Sequence, residues 1–154
     1  MRINATSYCR SFIVGLAILA APLSCLAELG GNPESIHADQ LHMKGSLRVS
    51  AQPSYTVHEI QTATGTLVRE YVTPAGVVFA VAWRGRAVPD LKQLFGPYFT
   101  QYVELAKTQH TTRGPLSIAD PQLVVHSSGH MRAFFGRAYL PQMLPPDVTV
   151  DDIR

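Results

Sequence analysis

From Tyr55 onward, hydrophobic and polar positions fall into short runs separated by turn residues. Tyr55–Gln61, Thr66–Val72 and Val77–Trp83 are rich in β-branched and aromatic side chains, with Thr62-Ala63-Thr64-Gly65 and Thr73-Pro74-Ala75-Gly76 between them. That pattern predicts a three-stranded antiparallel meander. The third run has no polar residue from Val77 to Trp83, so it should be central and covered on both faces. With the two turns closing as four-residue loops, Gln61 is expected opposite Thr66 and Val72 opposite Val77.

After Pro89-Asp90 the period changes. Leu91, Leu94, Phe95, Tyr98, Phe99, Tyr102 and Leu105 recur every three or four residues, the stripe of a long amphipathic helix with Asp90 as its N-cap. Gly96-Pro97 lies inside the stripe and should kink or split it. Gln122–Ser127 and Met131–Tyr139 predict a second hairpin around Ser128-Gly129. Ahead of the meander, residues 28–54 form a polar extension, with a short helix from about Pro33 to Lys44 opened by Asn32-Pro33-Glu34. Residues 141–154, with Pro145-Pro146 and three aspartates, read as an extended, loosely held tail. The expected fold is α+β: one domain over residues 55–140, a mostly antiparallel sheet of about five strands and one long helix, preceded by the short N-terminal helix.

The first 27 residues stand apart. Arg2 and Arg10 precede an apolar run from Phe12 to Leu26, which is shorter than the ~20 residues a spanning helix needs and is interrupted by Pro22. The Cys25-Leu26-Ala27 ending places small residues where a signal peptidase reads, so cleavage between Ala27 and Glu28 and export to the periplasm are expected. Lipid attachment at Cys25 is the lesser alternative, since the preceding Pro22-Leu23-Ser24 departs from the usual lipidation pattern. Cleavage would remove Cys9 and Cys25, the only cysteines, and with them any disulfide or thiolate chemistry. It also changes the charge: thirteen Lys+Arg less Arg2 and Arg10 equal the eleven Asp+Glu. A neutral chain argues against a general nucleic-acid binder or an anionic-membrane binder. No stable membrane insertion is expected once the signal is gone.

Candidate chemistry follows from the assumed registers. Glu59 and Glu70 would lie diagonally on one face among apolar groups, at ~7 Å between Cβ atoms, a spacing at which paired carboxylates serve glycoside hydrolysis. The other face would pair His58 with Arg69, a neighbour pair able to hold an anion. His126 and His130 flank the second hairpin turn: with Ser128-Gly129 as the loop their imidazoles point to opposite faces and share no metal, whereas with Ser127-Ser128-Gly129 they oppose each other at ~5 Å between Cβ atoms, giving half of a metal site. His37 and His42 diverge on the proposed short helix, and Ser127 and Ser128 beside His126 lack both a nucleophile-elbow string and an orienting acid. No cofactor motif is present.

Several longer strings carry a resemblance. They are Tyr55-Thr56-Val57-His58-Glu59, Gly65 to Val72, Pro74 to Trp83, Pro89-Asp90-Leu91 with Leu94 and Tyr98-Phe99, Leu29-Gly30-Gly31, and Gly136-Arg137-Ala138-Tyr139-Leu140-Pro141. Together they resemble an exported proteobacterial family catalogued as domain of unknown function 2844. The resemblance implies export and supplies no catalytic residue, ligand or partner. The functional expectation is a non-catalytic binding or assembly accessory of another cell-envelope protein, with the acidic tail or Tyr98-Phe99-Tyr102 as the contact. The alternatives are an envelope glycan hydrolase using Glu59 and Glu70, and a small-ligand binding protein with a pocket near Trp83.

Overall fold

The structure, a computed structural model, describes residues 28–32, 45–109 and 114–154. Among the described residues seven antiparallel strands form one sheet: β1 Ser46–Ala51, β2 Thr56–Gln61, β3 Leu67–Val72, β4 Val78–Gly85, β5 Leu116–Ala119, β6 Val124–His130 and β7 Ala133–Tyr139. Their order across the sheet is β1-β2-β3-β4-β7-β6-β5. The expectation of about five strands is therefore corrected to seven. β1 and β5 went unread because both are edge strands: β1 leaves four of its six residues exposed and β5 is four residues long, so neither shows a strong alternating pattern. The expected helix at Pro33–Lys44 lies outside the described residues, as do Ala27, Cys25, His37 and His42.

A helical segment joins β4 to β5. It comprises α1 (Leu91–Phe95), a 3-10 turn at Gly96–Tyr98 and α2 (Phe99–Thr108). Asp90 caps α1 by accepting from the Lys92 and Gln93 amides at 3.0 and 3.2 Å. Gly96 and Pro97 break the regular helix at the point the sequence marks. Phe95 is the anchor, with ring contacts to Trp83 at 6.0 Å and to Tyr102 at 5.0 Å. Gln101 ties α2 to the β5–β6 turn through Asp120 at 2.9 Å. Tyr98, Phe99 and Tyr102 pack half-buried against the core beneath this helix, so the aromatic cluster is structural cover.

The first two turns set the registers, and both differ from the assumed loops. Thr62 and Thr66 close the β2–β3 hairpin by a 2.9 Å backbone bond, Gly65 donates to Thr62 at 3.0 Å, and Gly65 has φ +84°. This is a three-residue loop with a left-handed glycine as its bulge. Gln61 consequently faces Leu67 rather than Thr66. Thr73 to Val77 repeats the device with Gly76 at φ +80°, and Val72 faces Val78. One-residue shifts of this kind send side chains to the opposite face relative to their partners. Phe79 is the extra residue at a bulge opposite Tyr71 and Val72, which places Val78 and Val81 in the core under the helix and Phe79 and Ala80 in the core on the other side.

β4 is buried from Val78 to Trp83, and its two faces have different covers. The helix covers one. The second is covered by residues 141–154, which turn back across the sheet through 3-10 turns at Pro141–Met143 and Val150–Asp152 and bury Val148 and Ile153 beside Val57, Tyr71 and Phe79. The segment read from its prolines as loosely held is thus an integral layer. Its polar anchors are Asp147, which accepts from the Ser54 hydroxyl at 3.0 Å, and the Thr149–Asp152 capping box.

The second hairpin turns at Met131-Arg132 rather than Ser128-Gly129: His130 pairs with Ala133 and Gly129 with Phe134. Met131 and Arg132 have φ of 48° and 67°, a two-residue turn of the mirror type that normally selects Asn-Gly. Two left-handed side-chain-bearing residues cost roughly 1–2 kcal/mol each. Replacing Met131-Arg132 with Asn-Gly should therefore raise the unfolding free energy by ~1–2 kcal/mol. The check is a higher urea midpoint with an unchanged slope; an equal or lower midpoint would count against the turn's geometry.

Candidate functional site

Cross-strand rows now place each candidate. On the helix-covered face, Val49, His58, Glu70, Val81, Ala138, Val125 and Ile118 stand in line from β1 to β5. On the tail-covered face the neighbouring row is Arg48, Glu59, Arg69, Ala82, Arg137, His126 and Ser117. Glu59 and Glu70 therefore lie on opposite faces of the sheet. Glu59 accepts from Arg69 Nε at 3.3 Å, and Glu70 is buried at 1% exposure opposite His58. His58 and Arg69, expected together, are likewise separated. Each expected pair exchanged partners because the β2–β3 loop is one residue shorter than assumed.

The two histidines of the second hairpin are also apart. They are not opposed across a turn but lie on one strand, four residues from each other on β6, which is ~13 Å at the rise of an extended chain. Among the described residues no group of three or more His, Cys, Asp or Glu side chains is placed to hold a metal ion.

The tail-covered face holds a different constellation. Arg69 donates through Nη1 to the Arg154 carbonyl oxygen at 2.6 Å, and Arg137 donates to the Val150 and Ile153 carbonyls at 2.7 and 3.3 Å. Tyr71 both donates to the Arg154 carbonyl and accepts its amide, each at 2.9 Å. The covering segment is thus gripped largely by its backbone. Where it ends against β5–β7, a groove of about 490 Å³ opens, lined by Arg84, Ser117, His126, Ser128, Phe135 and Arg137, with Ile153 and Arg154 on the tail side. Ser117 and His126 Nδ1 are 3.1 Å apart across β5 and β6. Gly136 shapes the strand behind: a Cβ there would collide with the Trp83 ring, so only glycine lets the indole lie across β7. Of the groove residues, reading the sequence picked out His126, Ser128 and the neighbourhood of Trp83. Arg137 was missed, although an arginine inside the apolar run from Ala133 to Tyr139 was a usable signal.

One titrating group, Tyr71, ties the cover to the sheet, and another, Asp152, fixes a turn within the cover. Burial pushes the Tyr71 phenol above its ordinary range, with the Arg154 hydrogen bond and the Arg69 charge pulling the other way. The Thr149 amide and hydroxyl hold the Asp152 carboxyl below the usual carboxylate range.

A family model for a protein of unknown function (DUF2844) matches residues 25–153. No curated protein matches the chain, and no solved structure does.

A tyrosine whose folded pKa is raised contributes stability that is complete below the ordinary tyrosine range and lost as pH rises through the folded value. Urea-determined stability should fall on raising pH from about 9 to 11, near the usual tyrosine pKa, and Tyr71→Phe should remove part of that slope. The same variant should cost ~1–2 kcal/mol at neutral pH through its two lost hydrogen bonds. An unaltered alkaline slope in Tyr71→Phe would show that the phenol does not hold the segment.

Proposed function

The chain belongs to the DUF2844 family, and on that premise we propose that it is a non-catalytic binding protein of the cell envelope, exported to the periplasm, whose ligand sits in the groove beside residues 153–154. The observation that carries this reading is the groove. Its volume, about 490 Å³, falls within the ~300–1,000 Å³ of small-molecule sites. Its walls mix a half-exposed aromatic ring, Phe135 at 51% exposure, with convergent polar groups, the usual composition of a recognition site.

Rigidity favours the same reading. The groove is built on four paired strands, β4 to β7, and an anchored segment, so its groups are held in place before a ligand arrives. Export is supported by Arg2, Arg10, the Phe12–Leu26 run and the Ala27-Glu28 junction. Among the described residues no helix is long and apolar enough to cross a membrane. The glycan-hydrolase reading has no support, because a carboxylate pair divided between two faces of a sheet cannot flank one glycosidic bond.

Native mass spectrometry of protein purified from a periplasmic extract tests this directly. The expected spectrum begins at Glu28 and carries a small adduct that denaturation removes. Ser128→Trp, which fills the groove from a half-buried position opposite Phe135, should abolish the adduct while leaving the melting temperature within a few degrees. An adduct retained in Ser128→Trp would place the ligand elsewhere, and a spectrum free of adduct in both proteins would count against small-molecule binding.

A further inference from the structure

We infer that the groove recognises an oxyanion, a carboxylate or phosphate monoester attached to an apolar body, with Arg84 and Arg137 as the charge partners and Phe135 as the platform for the body. This rests on the binding role proposed above and names the chemistry of its ligand.

Charge is the first observation. Arg84, Arg137 and Arg154 line the groove, and among the described residues its lining contains no aspartate or glutamate. The chain without its first 27 residues has balanced charge, so the sign of this groove is a local concentration. Arg154 has a carboxylate neighbour in Asp152, which feels its charge, so the positive charge rests on Arg84 and Arg137. Among the described residues the ion pairs are Arg69–Glu59 and Lys107–Glu104, neither of which involves a groove arginine. Arg137 donates to main-chain carbonyls, which orient the guanidinium without neutralising it. A cation fixed by neutral acceptors is preorganised for an anion, since little side-chain entropy remains to be lost.

Spacing is the second. Arg84 pairs with Phe135 and Ala82 with Arg137, so the two arginines are diagonal neighbours on one face, with Cβ atoms about 7 Å apart. Side chains of that length can converge on one oxyanion from this distance, and guanidinium forks match carboxylate and phosphate geometry. His126 stands directly opposite Arg137, and Ser117 directly opposite His126, extending the polar row along the groove floor. Phe135 lies beside Arg84 in the next row and is half exposed. A ligand that placed its charge between the arginines would lay its body on this ring.

The test uses three probes of one shape: phenyl phosphate, benzoate and neutral benzyl alcohol, titrated into the protein by calorimetry at low and moderate salt. The expected result is that at least one anion binds ten-fold or more tightly than benzyl alcohol, with affinity falling as salt rises. The tighter anion identifies the head group. Arg84→Gln should weaken that anion about ten-fold without changing the melting temperature, because Arg84 is exposed. Equal binding of benzyl alcohol and both anions, or an Arg84→Gln protein with undiminished affinity, overturns the oxyanion assignment while leaving the groove a binding site. No binding by any probe, together with a native spectrum free of adduct, overturns both.

Discussion

Six consecutive buried residues on β4, Val78 to Trp83, impose the constraint from which the rest of the architecture follows. A strand apolar on both faces cannot leave either to water, yet an open antiparallel sheet ordinarily solvates one side. Two covers are therefore needed, and the connectivity supplies them. The helical segment leaving β4 crosses one face to reach the far edge at β5, after which β6 and β7 return inward. β7 ends beside β4, so the chain emerging from it begins next to the surface it must shield. Trp83 and Phe95 fasten the first cover. Tyr71, Arg69 and Arg137 fasten the second.

Much of this was legible because it depends on local chemistry. The apolar run identified the central strand, the spaced aromatics identified the helix, and Asp90, Gly96 and Pro97 marked its start and its break. What escaped was set by less local terms. β1 is an edge strand with four of six residues exposed and β5 an edge strand of four residues with one buried, so burial writes little into their sequence. The role of residues 141–154 depends on burying only a few apolar side chains, Val148 and Ile153 among them, and on donors that lie far away in the chain. Prolines and aspartates there look like disorder when read alone.

The candidate sites show how sensitive such reading is to turn geometry. Glu59, Glu70, His58 and Arg69 all lie on the strands assigned to them, but Gly65 in its left-handed conformation shortens the loop by one residue. That change unites Glu59 with Arg69 in an ion pair and places Glu70, buried, on the other face opposite His58. In the second hairpin the error had a different origin. Ser128-Gly129 has better turn chemistry than Met131-Arg132, and the pairing of β7 with β4 from Phe134 to Tyr139 overrides that local preference. The groove residues are spread over β4 to β7, and only the completed sheet aligns them.

The grip of Arg69 and Arg137 on the covering segment is directed at carbonyl oxygens. Carbonyls are common to every residue type, so this fastening does not read side-chain identity at Val150, Ile153 or Arg154. Drift in the segment is thereby limited by the apolar contacts of Val148 and Ile153 and by the Thr149–Asp152 capping box, while the exposed Asp151 and Arg154 are less constrained. Relatives could thus diversify the rim of the groove from this segment while the two arginines that secure it stay unaltered.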